Sequence, residues 1–416
     1  MMSGSECSVR IMFWMRDYLP AFRPDVAELF GRELPRLGVC SDLAGQLADG
    51  ESSSANQAAW KAGEVYVCGR QRGGVLGDLL RTFFDLRLFL FLRPEHSVIQ
   101  VRDKIRTGLV ALLWARFSQR KLTYWMSFPM VEGYWERYIQ IGGRRGQIVQ
   151  CLNWVRAKLA AQAYYRYLLP RVDHLFVQSD AMLAMMSRQG MPRARMTVVP
   201  MGVSMSVFTQ VQKPAELPKQ LHGRKVLAYL GTLGVSRNSD FLLQVLALVR
   251  EAEPSALLLL VGDGASPDEQ AWIRERIASS GLSDHVSLTG WLPQSDALPF
   301  LKCAAVGLSP VPRGPLFDVS TPTKTLEYLA LGIPCVCNDI PDQKYVIEVS
   351  GGGVCVPMEA RLFADACLQL LREPEAAASA GARGRAWVKD NRSYDAIAAN
   401  VAAVYRRLLA DKQTAN

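Results

Sequence analysis

Phe317-Asp318-Val319-Ser320-Thr321-Pro322-Thr323-Lys324-Thr325-Leu326-Glu327-Tyr328-Leu329-Ala330-Leu331-Gly332-Ile333-Pro334 reads as a loop, a helix and the entry to a strand. Thr321 suits a helix cap and Pro322 the first helical position. Gly332 stands where the helix would end, and Pro334 cannot continue it. Ile333 to Cys337 then reads as a short buried strand. A helix start of this kind offers unpaired backbone N–H groups and a positive dipole end to an anion. Lys324 adds a mobile cation in the first turn, and Glu327, three residues on, shares its face. A phosphate at the helix start, with a sugar hydroxyl at Glu327, would use all of these groups at once. Taken alone, the stretch fits equally a surface helix with a Lys–Glu pair worth about 0.2–0.5 kcal/mol.

The chain leading into this stretch alternates strands and helices. Strands are expected at Val226–Leu230, Ala256–Val261, His285–Thr289 and Ala305–Leu308, with helices at Asp240–Arg250, Asp268–Ser279 and Asp296–Cys303. Such alternation with short loops predicts a parallel sheet covered by helices on both faces. The first half repeats it less cleanly. Strands are expected at Val9–Met15, Glu64–Cys68, Ser97–Val101, Lys121–Phe128, His174–Gln178 and Thr197–Pro200, with a loop over Gly45–Asn56. Helices are expected over Pro24–Leu37, Ile105–Ser118, Gly146–Leu169 and, capped by Ser179, to about Gln189. Arg102-Asp103-Lys104 ends one of the strands, at the edge where open α/β sheets bind ligands, although Asp103 also suits a helix cap. The fold class is therefore α/β, with two Rossmann-like parallel-sheet domains facing a cleft. The expected boundaries are 1–209, a polar, proline-bearing linker at 210–223, a second domain at 224–392, and a C-terminal helix at 393–416 that packs back on the first domain.

Composition narrows the class. Of 416 residues, 49% are apolar and 21% charged, which fits a folded, core-forming chain. The net charge of +9 suits nucleoside diphosphates, nucleic acid or an anionic membrane surface. Nine scattered cysteines without a C-x-x-C pair, and four histidines far apart, predict reduced thiols and no zinc site. No secretory signal and no uninterrupted apolar window of about 18 residues is present. Leu79–Leu92, broken by Arg81, Asp85 and Arg87, reads as a core helix before an interfacial one. The basic, aromatic-rich run over 146–169 suits a half-buried helix or one facing a membrane or a lipid-linked acceptor. These features place the chain in the cytoplasm, at the inner membrane face if membrane-bound.

Several spaced motifs in one order carry more than any one of them. Gly231 with Arg237 after a strand, Val261-Gly262-Asp263-Gly264, Gly290-Trp291, the Thr321-to-Lys324 helix start, Glu327-Tyr328 and Gly332-Ile333-Pro334 resemble the retaining nucleotide-sugar glycosyltransferases of two-domain GT-B fold. Val199-Pro200-Met201-Gly202-Val203 is similar to that family's hinge-side V-P-x-G-V. The resemblance covers roughly residues 175–395. It implies that Arg237 and Lys324 hold the diphosphate of a UDP- or GDP-sugar, together with the N–H groups of Thr323 and Lys324. Glu327 would take the ribose, and Gly290 and Trp291 would lie near the base. Gly231, Thr232, Gly262, Ser320 and Thr321 complete the implied donor site, and Asp103 is the expected sugar or acceptor contact. The resemblance further implies attack on the face of the departing diphosphate, no metal, no cofactor and no nucleic acid, with a glycan or lipid-linked acceptor.

Three departures from the family pattern stand out. The residue eight before Glu327, where much of the family carries a second glutamate, is Val319, and Asp318 is acidic but out of register. The first strand's loop reads Met15-Arg16-Asp17-Tyr18-Leu19-Pro20 without a glycine pair, and a histidine common near the cleft is absent. These departures keep open a non-catalytic member of the fold acting as a partner in a polysaccharide-synthesis assembly. A nucleotide-sugar epimerase ranks below both, because no acid/base set can be placed.

Overall fold

The computed structural model describes residues 7–20, 23–47, 57, 59–70, 74–141, 147–214 and 218–413, and divides the chain into two units. The first comprises 1–200 with 394–416, and the second comprises 201–393.

The first unit is a seven-stranded parallel sheet in the order β3-β2-β1-β4-β5-β6-β7. Its strands are β1 (Val9–Leu19), β2 (Val39–Leu47), β3 (Val65–Arg70), β4 (His96–Arg102), β5 (Lys121–Met126), β6 (His174–Val177) and β7 (Met196–Val198). Three helices matter below: α1 (Ile105–Phe117), α2 (Met130–Ile141) and α3 (Gln147–Ala161), the last continued to Leu168 by wider turns. Strand β2 was not anticipated from sequence. Its residues Ser41, Asp42 and Gln46 are buried, so the apolar run that marks an inner parallel strand is broken. Asp42 is satisfied internally, by Arg10 at 2.9 Å and His96 at 2.8 Å. Burial pushes its carboxyl up, but hydrogen bonds from His96 and Arg10 bring it down to about 2.

The C-terminal helix Tyr394–Gln413 belongs to this first unit, as expected. Tyr394, Val401 and Tyr405 enter the same core as Phe13, Phe30 and Trp125. Burial of an aliphatic or Phe side chain such as Val401 or Phe30 contributes about 1.5–3 kcal/mol. The Tyr405 hydroxyl also donates to buried Gln100.

The second unit is a six-stranded parallel sheet, β10-β9-β8-β11-β12-β13. Its strands are β8 (Lys225–Leu230), β9 (Ala256–Val261), β10 (Val286–Leu288), β11 (Val306–Ser309), β12 (Cys335–Cys337) and β13 (Gly353–Cys355). Along β8, Val226 and Ala228 enter one apolar cluster, while Leu227 and Tyr229 enter the other. That period of two buries both faces. The helix α4 (Thr323–Ala330) follows β11.

Four expectations change. The units divide at Pro200, and the segment expected as a linker belongs to the second unit, where Val211 and Leu221 are buried; 215–217 lie outside the described residues. Much of the loop expected over 45–56 also lies outside them, and Gly45–Leu47 is strand. Cys7 and Cys40 form a disulfide, so the cysteines are not all reduced. Leu79–Leu92 is not wholly core: Leu88 and Phe89 are buried, but Phe83, Leu90 and Phe91 are exposed. Among the described residues, no helix is long and apolar enough to cross a membrane.

Candidate active site

In both sheets the strand order reverses beside the first strand, between β1 and β4 and again between β8 and β11. Open parallel sheets bind ligands at the carboxyl ends of strands at such a switch point. In the second unit, β8 ends at Gly231 and β11 leads to α4, so the glycine and the helix start occupy that point together.

The local geometry explains the residue types. Gly231 has φ 124° and Gly262 has φ 137°, a region that L side chains avoid. The Gly231 N–H donates to Val261 O at 2.9 Å, and a Cβ on Gly262 would lie 2.2 Å from Gly231 O. The two loops therefore touch backbone to backbone. A Cβ on Gly231 would sit 3.2 Å from the Lys324 Cε. The Lys324 ammonium lies 5.0 Å from the centroid of the Tyr229 ring, within cation–π range.

Helix α4 is anchored by Tyr328. Its fully buried hydroxyl accepts from Leu230 N at 2.8 Å and donates to Leu308 O at 3.1 Å. The ring packs where only Gly307 leaves room. At the helix end, Ile333 N donates to Tyr328 O at 2.9 Å and Gly332 N to Leu329 O at 2.8 Å, which closes the last turn. The start differs from expectation: Pro322 is the cap residue, no side chain caps the helix, and buried Thr321 lies before it. The N–H groups of Thr323 and Lys324 stand in the first turn, where α-helical backbone donors have no intrahelical partner.

Glu327 is half-buried, three residues beyond Lys324, and its carboxylate makes no hydrogen bond among the described residues. Burial pushes its carboxyl up from 4.5 to about 7, with Lys324 pulling the other way. Arg237 is exposed, and its guanidinium lies 5.3 Å from the centroid of Phe317, in the loop that leads to α4. Ser320 turns its hydroxyl back to Phe317 O at 2.7 Å, and the Thr232 carbonyl accepts from Tyr229 at 3.2 Å. Gly262 and Gly290 pair across neighbouring loops. Trp291 is 54% exposed, with its indole N–H donating to Gly264 O at 3.1 Å, so it is a rim residue and not a core aromatic.

Asp318 and Val319 are both spoken for. Arg313 grips Asp318 at 2.8 and 3.1 Å and reaches Asp339 at 2.7 Å, while Gly314 N donates to Asp318 at 3.2 Å. No local pattern announces this clamp, because Arg313 and Asp339 are 26 residues apart. Val319 is 7% exposed, a packed side chain.

Asp103 belongs to the first unit and directly follows β4. It has φ 50°, is 4% exposed, and accepts from the Ser127 N–H at 3.1 Å and from the Ser127 hydroxyl. Burial raises its carboxyl, opposed by buried Arg102.

Two Rossmann-like sheets, with polar groups gathered at the switch point of the second, define the architecture of the GT-B glycosyltransferases. Residues 25–202 match the family model "Glycosyl transferase 4-like domain", and residues 224–373 match "Glycosyl transferases group 1". By both domains the chain belongs with the glycosyltransferases of GT-B fold. A relative from Mycobacterium tuberculosis, named GDP-mannose-dependent alpha-(1-6)-phosphatidylinositol monomannoside mannosyltransferase, is 28% identical over 221 residues, or 52% of this chain and 57% of that protein. The match thus spans little more than half of that relative. Mannosylfructose-phosphate synthase from Agrobacterium fabrum is 31% identical over 115 residues, covering 26% of this chain and 25% of that one. Among solved structures, sucrose-phosphate synthase from Thermosynechococcus elongatus aligns with a TM-score of 0.68 at 16% identity, over 97% of this chain and 100% of that one. Anabaena Alr3699/HepE, solved in complex with UDP, aligns at 0.66 and 16% identity, over 96% and 100%.

Proposed function

We propose that this protein transfers a sugar from a nucleoside-diphosphate sugar, of UDP or GDP type, to a glycan or lipid-linked acceptor, with retention at the anomeric carbon. One observation carries the reading: Lys324, the first turn of α4 and the unpaired Glu327 carboxylate gather beside Gly231 at the switch point of the second sheet. In the transfer, the bond from the anomeric carbon to the diphosphate oxygen breaks while a bond to the acceptor hydroxyl oxygen forms. The hydroxyl proton passes to the departing diphosphate. Arg237, Lys324 and the Thr323 and Lys324 N–H groups offset the charge that develops there, a preorganised electrostatic role worth about 2.7–4 kcal/mol per donor in comparable sites. Glu327 accepts from the ribose hydroxyls. Gly290 and Trp291 border the base, with Thr232, Gly262, Ser320 and Thr321 shaping the pocket. We assign no metal, cofactor or nucleic acid to the reaction, and Asp103 to shaping the acceptor side.

We extend the reading to peripheral contact with an anionic membrane surface, supported by exposed Trp154 and Leu159 beside Lys158 on α3. Incubation with a panel of nucleotide sugars tests the activity. Turnover or slow donor hydrolysis is expected with one donor and is lost in Lys324→Ala. Donor binding without turnover, across every donor and acceptor tried, would instead favour a non-catalytic partner protein.

A further inference from the structure

The switch point of the first sheet carries a different chemistry from that of the second. A pocket of about 310 Å³ opens there, lined by Arg16 from β1, Asp103 and Lys104 after β4, Arg106 on α1, and Tyr134 and Arg156 from α2 and α3. Its two carboxylates are already matched. Asp85 holds Lys104 at 2.8 and 2.9 Å and accepts from Thr107 at 2.8 Å, and Asp103 is held by Ser127 beside Arg102. Arg16 and Arg106 are exposed and form no ion pair among the described residues. Arg156 stacks 5.3 Å over the Tyr134 ring. Four cations and two carboxylates line this pocket, so its wall carries a positive surplus, although the Asp103 carboxylate is drawn to Arg16 as well as to Arg102.

The same pocket runs into a second cavity of about 390 Å³, which shares Ile105, Arg106, Tyr134 and Arg156 with it. The rest of that wall is apolar: Leu109 on α1, then Leu152, Val155, Leu159 and Ala163 along α3 and its extension. Leu152, Val155 and Leu159 fall at i, i+3 and i+7, one stripe of a helix, yet Leu152 is 64% and Leu159 62% exposed. Leu113 and Phe117 continue the Leu109 face of α1 at four-residue steps and are more exposed still, at 71% and 87%. An amphipathic stripe normally faces a core; here it lines an open groove that ends at arginines. A soluble sugar would leave the groove empty, and a neutral lipid would leave Arg16 and Arg106 without an anion.

We propose that this composite site binds a lipid phosphate, its phosphoryl group at Arg16 and Arg106 and its chain along Leu109, Leu152 and Leu159. As the acceptor site of the transfer proposed above it rests on that reading, but its binding chemistry stands by itself.

The test is direct binding of farnesyl phosphate to the full chain by thermophoresis, against farnesol and inorganic phosphate, with UDP and GDP binding measured in parallel. Farnesyl phosphate binds at least about tenfold tighter than either half alone, the gain expected when both parts of the site are filled. Arg106→Ala and Leu159→Asp, both at exposed positions, each weaken it about tenfold. Equal binding of farnesol and farnesyl phosphate, as at a general membrane-adhesive surface, overturns the proposal. So does unchanged affinity in both variants. Farnesyl phosphate binding without UDP or GDP binding keeps the site and removes the donor reading; nucleotide binding without farnesyl phosphate binding removes the site alone.

Discussion

The Gly231 Cα and the Lys324 side chain are packed so closely that a methyl group on Gly231 would lie 3.2 Å from the Lys324 Cε. Gly231→Ala therefore both strains a backbone at φ 124° and pushes the ammonium aside. We predict about a tenfold loss of nucleoside-diphosphate affinity, equivalent to about 1.4 kcal/mol. Titration calorimetry with UDP and GDP reads it, and unchanged affinity would show that the Lys324 position is irrelevant.

Glu327 gives the site a pH dependence. Its folded carboxyl titrates at about 7, above the ordinary 4.5, so the folded state holds a proton that the unfolded chain has released between those values. Stability without ligand therefore falls as pH rises from 4.5 toward 7, and Glu327→Gln removes that fall. Nucleotide binding should run the other way, because in the proposed donor site ribose hydroxyls donate to the ionised carboxylate. Affinity should rise between about pH 6 and about pH 8 in the wild type and stay flat in Glu327→Gln. Calorimetry at both pH values checks the second statement and thermal melts the first.

Tyr328 ties α4 to the ends of two strands. Tyr328→Phe leaves the buried Leu230 N–H without its partner, at a cost of about 1–3 kcal/mol. Urea unfolding should show it, with an equal loss at Leu308 O avoided only if water enters.

Val319 cannot be turned into the missing acid. Its side chain is packed, so Val319→Glu buries a carboxylate that lacks a cation, because Arg313 is already committed to Asp318 and Asp339. The variant should melt earlier than wild type and gain no turnover. A stable Val319→Glu with higher activity would contradict the packing described here.

How much was legible in the sequence followed from where the signal was local. The second sheet announced itself through apolar strands and short loops, and Ala256–Val261 is found with the bounds read from sequence. Ser179 does cap its helix, accepting from Met182 N at 3.0 Å. Strand β2 was hidden because its buried polar residues are paid for by partners far along the chain, Asp42 by Arg10 and His96. Helix Pro341–Ser350 and strand β13 went unread. At the candidate site, residue types and order pointed to Lys324, Glu327 and Gly231, and the structure brings the three to one switch point. The clamp on Asp318, the start of α4 after Pro322 and the Cys7–Cys40 disulfide depend on approaches across the fold that no local pattern encodes.

In the proposed reaction, Lys324 and its helix start bind the diphosphate of a sugar donor. The most direct measurement is nucleotide-sugar consumption by the wild type and Lys324→Ala across a UDP- and GDP-sugar panel. Turnover of one donor by the wild type is expected, with a loss of about a hundredfold or more in the variant. Equal rates in the two proteins would contradict it.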